Sequence, residues 1–134
     1  MKATNVIKRY RAWHKLKRKI HDDPSVPAGY KEREVWWLCL GHNVGFEEDG
    51  KGDNFNRPVL IVKGFSKRLF WGIPLSTTGK RGPYYHPLVI NGTVSVALLS
   101  QLRVFDTKRL INKTGMLGQK DFAEIKLKLI DYLS

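Results

Sequence analysis

The sequence predicts a mainly β, α+β fold. A small, strongly bent antiparallel sheet or half-barrel is closed by a C-terminal helix and preceded by a basic amphipathic one. Three observations carry this expectation. The 134 residues are 42% hydrophobic, enough for one compact core with an appendage. Beyond residue 33 the chain breaks into short apolar runs punctuated by turn residues. At both ends, apolar residues instead recur with the 3.6-residue period of a helix.

The N-terminal segment comes first. Residues 1–21 hold Lys2, Lys8, Arg9, Arg11, Lys15, Lys17, Arg18 and Lys19, and no acid. Val6, Tyr10, Trp13, Leu16 and Ile20 fall on one stripe of a helix with the cations around it. Pro24, Pro27 and Gly29 then end the pattern. Such a helix has four open roles: docking on the domain that follows, lying on a membrane, binding RNA, or acting as an import presequence. Docking is the preferred expectation, because a stripe carrying Trp13 and Tyr10 needs cover. The chain thus divides into a helix and Pro-containing linker, 1–30, and a barrel domain, 31–134.

Candidate strands are 34–40, 58–63, 68–75, 86–90, 93–101 and 110–117. Gly41, Gly64, Gly79, Gly82-Pro83 and Asn91-Gly92 separate them. Asn91-Gly92 between two β-rich runs is a strong hairpin signal. In 119–133, Phe122, Ile125, Leu129 and Leu133 form the closing helical stripe. The long polar stretch 41–56 contains four glycines and four acids. A loop of that length in a compact domain is usually functional or disordered, and this one opens directly into Arg57-Pro58 and a strand, as a mobile flap beside a site would.

Composition narrows the function. A net charge of +12 and a pI of about 10.0 favour polyanionic partners. Cys39 is the only cysteine, which excludes an internal disulfide and a cysteine-cluster metal site. Set in an apolar run, it reads as a small core hydrophobe. No stretch approaches 18 apolar residues and no secretory h-region follows the basic N-terminus, so a cytoplasmic protein is expected. His14, His21, His42 and His86 lack ligand spacing, and neither a metal nor a cofactor is expected. A phosphate-binding P-loop and a GxSxG elbow are both missing.

Three clusters remain as sources of chemistry: Glu47 through Arg57-Pro58, Pro74-Leu75-Ser76-Thr77-Thr78, and Ser100-Gln101-Leu102-Arg103. Arginine offers a planar fork to two phosphate oxygens, and hydroxyls add uncharged donors. Groups of this kind at neighbouring strand ends suit a phosphodiester, although any one of them alone reads as well as solvated surface.

Taken in order, Arg33-Glu34-Val35-Trp36-Trp37, Gly45-x-Glu47 with Gly50, Arg57-Pro58-Val59-Leu60-Ile61-Val62, Pro74-Leu75-Ser76-Thr77 and Ser100-Gln101-Leu102-Arg103-x-x-Asp106 resemble the PemK/MazF family of toxins. The resemblance runs from Arg33 to Leu133. It implies an SH3-like half-barrel of about five to seven short strands that forms homodimers and cuts single-stranded RNA without a metal. An acidic cognate antitoxin neutralises such toxins. Carried over position by position, Arg57 matches the catalytic arginine, Ser76 the turn hydroxyl, Glu47 the flap carboxylate and Gln101 a substrate-contacting glutamine. Ser100 stands where many relatives have Asp, Leu98 replaces an arginine, and Phe46 replaces a flap histidine. The flap is six residues longer between Gly50 and Arg57 than the short family form.

The expected reaction is attack of a ribose 2′-OH on the adjacent phosphate, leaving a 2′,3′-cyclic phosphate and a 5′-OH. Arg57 would stabilise the added negative charge and Ser76, with Thr77, a non-bridging oxygen. Glu47 is the expected general base, with His42 second because its pKa lies near neutrality. Thr77, Gln101, Arg103, His42 and Lys51 are expected to contact substrate. Phe55, Tyr84 and Tyr85 are candidates to stack bases, or equally to pack in the core. Two other readings stay open: a catalytically inactive or gyrase-targeting binder, as in the toxin CcdB, and a basic nucleic-acid-binding regulator.

Overall fold

The computed structural model describes residues 3–25 and 29–134; Lys2 and Pro27, used above, lie outside the described residues. Helix α1, Ala3–Asp22, carries Lys19 and His21 in its last turn, where cations complement the helix dipole. Its apolar stripe faces the domain. Trp13 is buried against Cys39 and Phe55, with Leu16 and Ile20 packed beside them. Lys108 Nζ donates to the His21 carbonyl at 2.7 Å and anchors the far end. Docking is therefore the role that the contacts favour. No described helix is long and apolar enough to cross a membrane.

Seven strands follow: β1 (Glu34–Cys39), β2 (Asn56–Gly64), β3 (Leu69–Ser76), β4 (Tyr85–Ile90), β5 (Thr93–Leu98), β6 (Arg103–Asp106) and β7 (Leu110–Met116). Helix α2, Gln119–Tyr132, closes the chain. The sheet runs β4-β5-β3-β2-β1-β7, all antiparallel. The curl of the half-barrel is built into β3. Its first half, Leu69–Gly72, pairs with β6, and its last residues, Leu75 and Ser76, pair with β5. Gly72 sits at that crossing, where an added Cβ would lie 2.6 Å from Val59 Cγ1 and close to the Phe70 and Phe105 rings. Only glycine lets the strands approach so closely.

Both faces of the sheet are covered, as strict alternation in β2 requires. Leu60 and Val62 join Ile73, Leu88, Leu117, Phe122 and Ile125 on one side, under α2. Val59 and Ile61 join Trp36, Leu38, Leu40, Phe70 and Phe105 on the other. Asn91 (φ 50°) and Gly92 (φ 76°) take the left-handed conformations of a type I′ hairpin between β4 and β5.

The expected run 93–101 ends as a strand at Leu98, and Leu99–Gln101 forms a 3-10 turn. That turn lets the chain double back into β6, an element the sequence did not announce.

Burial raises the Cys39 thiol above its ordinary pKa, with Arg109 pulling the other way. Cys39 thus reports on docking of α1. Trp13→Ala should cost about 3 kcal/mol, or about 100-fold in the equilibrium for lifting α1 off the domain. The expected outcome is a matching acceleration of Cys39 labelling by a thiol reagent. An unchanged labelling rate would rule out the docked arrangement.

Candidate active site

The residues 41–56 between β1 and β2 form a closed flap rather than a slack loop. At its neck the Phe55 carbonyl accepts from Leu40 N (2.8 Å) and Gly41 N (3.3 Å), and Gly50 N donates to the Gly41 carbonyl at 2.7 Å. A Cβ on Gly50 would fall 1.7 Å from the Phe55 oxygen, so the neck closes only on glycine. Helix α1 fastens the outside. Arg9 Nη1 donates to the Gly52 carbonyl at 3.1 Å and Nη2 to that of Gly50 at 3.4 Å. Tyr10 Oη donates to the Asn43 carbonyl at 3.1 Å.

Arg57 stands in β2 where the flap returns, and it is 6% exposed. Its Nε donates to the Asp49 carbonyl at 2.6 Å, Nη1 to the Leu75 carbonyl at 3.1 Å, and Nη2 meets Glu48 Oε1 at 2.8 Å. The whole fork is engaged by the flap and by β3. Burying a guanidinium is costly unless it is paired and hydrogen-bonded, and here it is both.

Two clefts of about 350 Å³ each flank this pair. One is lined by Arg57, Ser76, Thr77, Lys51, Trp37 and Ser95, among others. The other is lined by Glu47, Glu48, Asn43, Ser100, Gln101 and Arg103, among others. Arg57 belongs to the first and Glu48 to the second, so their ion pair stands between the two. Ser76 is buried at the end of β3. Its Oγ shares a 2.7 Å hydrogen bond with Thr78 Oγ1 and accepts from Thr78 N at 3.3 Å. This short turn fixes the hydroxyl of a residue that lines the Arg57 cleft.

The expected site residues therefore divide. Arg57, Ser76, Thr77 and Lys51 share one cleft; Glu47, Gln101 and Arg103 share its neighbour. Glu47 turns its carboxylate toward Val44 N, at 3.2 Å, and not toward Arg57. Burial lowers the Arg103 pKa while the charge of Glu47 opposes that shift. Gln101 latches the flap, its Oε1 accepting from Glu48 N (3.2 Å) and its Nε2 donating to the Phe46 carbonyl (3.1 Å). His42 lines neither cleft. Its ring meets Tyr10 of α1 edge-on, centroids 4.3 Å apart, and its Nδ1 lies 3.5 Å from Asp49 Oδ2 without hydrogen-bond alignment. Phe55 is buried under Arg9, whereas Phe46 is fully exposed on the flap.

The arrangement is thus a buried arginine fork beside fixed hydroxyls at strand ends, under a glycine-necked flap. Residues 31–133 match the sequence profile described as PemK-like, MazF-like toxin of type II toxin-antitoxin system. The chain belongs to this family. The PemK/MazF fold is also found in solved structures. MazF from Deinococcus radiodurans superposes with a TM-score of 0.62 at 23% identity, covering 81% of this chain and 97% of that one. A mycobacterial endoribonuclease in complex with its cognate antitoxin gives 0.61 at 14% identity, over 78% and 95% of the two chains. The Mycobacterium tuberculosis toxin MazF-mt6 gives 0.59 at 15% identity, over 75% and 96%. A comparison with curated proteins found no match.

Sequence reasoning missed two features of this PemK/MazF chain. Glu48, one residue from the expected Glu47, is the carboxylate that pairs with Arg57; adjacent acids on an irregular loop give no periodic signal to choose between them. A histidine also meets two acids from a distant helix: His86 Nε2 lies 3.0 Å from Asp121 Oδ1 and 3.9 Å from Glu124 Oε2 of α2. Such a trio could hold a metal ion, but Lys128 Nζ, 3.0 Å from His86 Nδ1, completes a network that already ties α2 to β4.

The two flap acids make a test of this geometry. Glu48→Ala leaves the Arg57 charge buried without its partner and should cost about 3 kcal/mol. Glu47→Ala removes an exposed side chain and should stay within about 0.5 kcal/mol of wild type. Denaturant melts of the two variants measure the difference, and equal losses would contradict the Arg57–Glu48 pairing.

Proposed function

We propose that the protein is the toxin of a type II toxin–antitoxin pair, a metal-independent endoribonuclease that cuts single-stranded RNA. The observation that carries this reading is the convergence of Arg57, Ser76 and Thr77 on one cleft in a chain of the PemK/MazF family. RNA brings its own nucleophile, the 2′-OH, so the protein needs only to position the strand, move protons and stabilise charge. A phosphate entering the Arg57 cleft takes the place of the Glu48 carboxylate on Nη2. Arg57 then faces the negative charge that builds up on phosphorus, and Ser76 and Thr77 donate to a non-bridging oxygen.

Release of Glu48 frees the flap segment that carries both acids. Glu47 is assigned the proton of the 2′-OH, with Glu48 its neighbour able to take the same role; as the O2′–P bond forms the P–O5′ bond breaks, and the departing 5′-oxygen takes a proton from solvent water in the open cleft. Gln101 and Arg103 hold the adjoining nucleotide in the second cleft, and Lys51 holds a phosphate at the rim of the first. His42 lies against Tyr10 and outside both clefts, so its role in this reading is to support the flap. The net charge of +12 suits RNA and an acidic antitoxin segment that competes for the same cations. A cytoplasmic homodimer completes the proposal.

The closed fork of Arg57 favours one second reading, a family member that binds without cutting. One assay separates the two. Purified protein is incubated with a long single-stranded RNA in excess EDTA, beside Arg57→Lys, which keeps the charge and loses the planar fork. Cleavage with cyclic-phosphate and 5′-OH ends is expected, slowed about 100-fold or more in the variant. Intact RNA with wild-type protein overturns the nuclease reading; equal cleavage by the variant overturns the role of Arg57.

A further inference from the structure

Helix α1 has two faces, and only one of them is used by the contacts described so far. Trp13, Leu16 and Ile20 pack on the domain. Lys8, Arg11, Lys15 and Lys19 recur at spacings of three and four on a side turned away from those contacts, and all four are exposed. Among the described residues none of these four has an acidic partner. The one ion pair on the helix joins the exposed Arg18 to Asp22 at 3.7 Å. The stripe extends over about 16 Å at 1.5 Å per residue. The helix itself reaches the rim of the cleft: Arg9 bonds the Gly50 and Gly52 carbonyls, and Gly52 and Lys51 line the cavity with Arg57.

We infer that this outer face of α1 is a phosphate-tracking surface that extends the RNA site beyond the cleft, past Lys51 and along the helix. The inference rests on the nuclease reading for the identity of the strand. Charge complementarity and the form of the face select the occupant. A bilayer would need the apolar stripe, which is already buried against Cys39 and Phe55. A protein partner would need a cluster of aromatic or apolar anchors; beside the cations the described residues offer the exposed Ile7 alone, Tyr10 being held against His42. A single strand needs only cations at intervals along its backbone.

The test uses the full chain with Lys8→Gln, Arg11→Gln, Lys15→Gln and Lys19→Gln combined, none of which touches the docking face. Circular dichroism and a thermal melt establish that α1 and the domain are intact. Binding is measured by fluorescence anisotropy with 2′-O-methyl RNA, which lacks the nucleophile, so that the result does not depend on cleavage. Two lengths are compared, about 6 nucleotides, enough for the cleft, and about 24, enough for the cleft and the helix.

For the longer strand, the slope of log K against log salt should fall by about 2–3, at about 0.7 for each lost phosphate contact. The shorter strand should bind as before. An unchanged slope on the longer strand overturns the proposal. So does an equal loss on both lengths, because the charges would then act as a general field and not as a track. Displacement of the longer strand from the wild type by polyglutamate of equal charge, more readily than by RNA itself, would assign the face to an acidic protein instead.

Discussion

Everything around the cleft depends on one side chain, Arg57, and on the fact that all three of its nitrogens have partners within the chain. Asp49 and Glu48 belong to the flap and Leu75 to β3, so one guanidinium fastens the flap to the paired strands β2 and β3, a joint that the sheet itself does not make. A charge this deeply buried demands such partners, and the flap is folded down to provide them. The same fork is the natural clamp for a phosphodiester. Structure and proposed catalysis therefore compete for one set of donors, and the competition fixes what must move. The Asp49 and Leu75 carbonyls can stay in place, whereas Glu48 is the partner that a second anion would replace.

Much of this was legible in the sequence. The short apolar run of β2, the Asn91-Gly92 hairpin and the stripe of Phe122 and Ile125 identified their elements because each obeys a local rule. The docking of α1 was legible for the same reason, since Trp13 on an amphipathic stripe has to be covered. β6 was not, because Arg103–Asp106 is four residues long with a single buried side chain. Its existence depends on β3 forking between two partners, which is a property of the whole sheet. Within the site, Arg57 and the Ser76-Thr77 pair were readable as two separate clusters, which the family resemblance linked, and the structure places all three residues at one cleft. The separation of Glu47 from that group, and the role of Glu48, depended on the path of an irregular loop. No local pattern encodes that path. His86, Asp121 and Lys128 illustrate the same limit, being brought together by the packing of α2 against β4.

The flap is held from inside by Arg57 and Gln101 and from outside by Arg9 and Tyr10. These are contacts of different kinds. Inside, the grips are a buried ion pair and a carboxamide latch; outside, they are the half-buried Arg9 and the exposed Tyr10, each bonded to backbone carbonyls. An anion that takes the fork can replace the inner ion pair, while the neck is kept by its own backbone hydrogen bonds, from Leu40 N and Gly41 N to the Phe55 carbonyl and from Gly50 N to that of Gly41. The Gly50–Phe55 closure supports that division, since it depends on backbone alone.

Gly41 carries a consequence of another sort. It lies at φ +90°, and an added Cβ would be 2.4 Å from the Trp13 indole, so the absence of a side chain at the end of β1 is what makes room for the helix. The helix lies before the family-matched region and the glycine lies within it, yet neither is free to change alone. Grafting these N-terminal residues onto a relative with any side chain at that position would leave the tryptophan without a seat. Removing the helix from this chain would leave a bare notch over Cys39 and Phe55. The seat and the side chain that fills it are matched in size, the space of one missing Cβ to the edge of one indole.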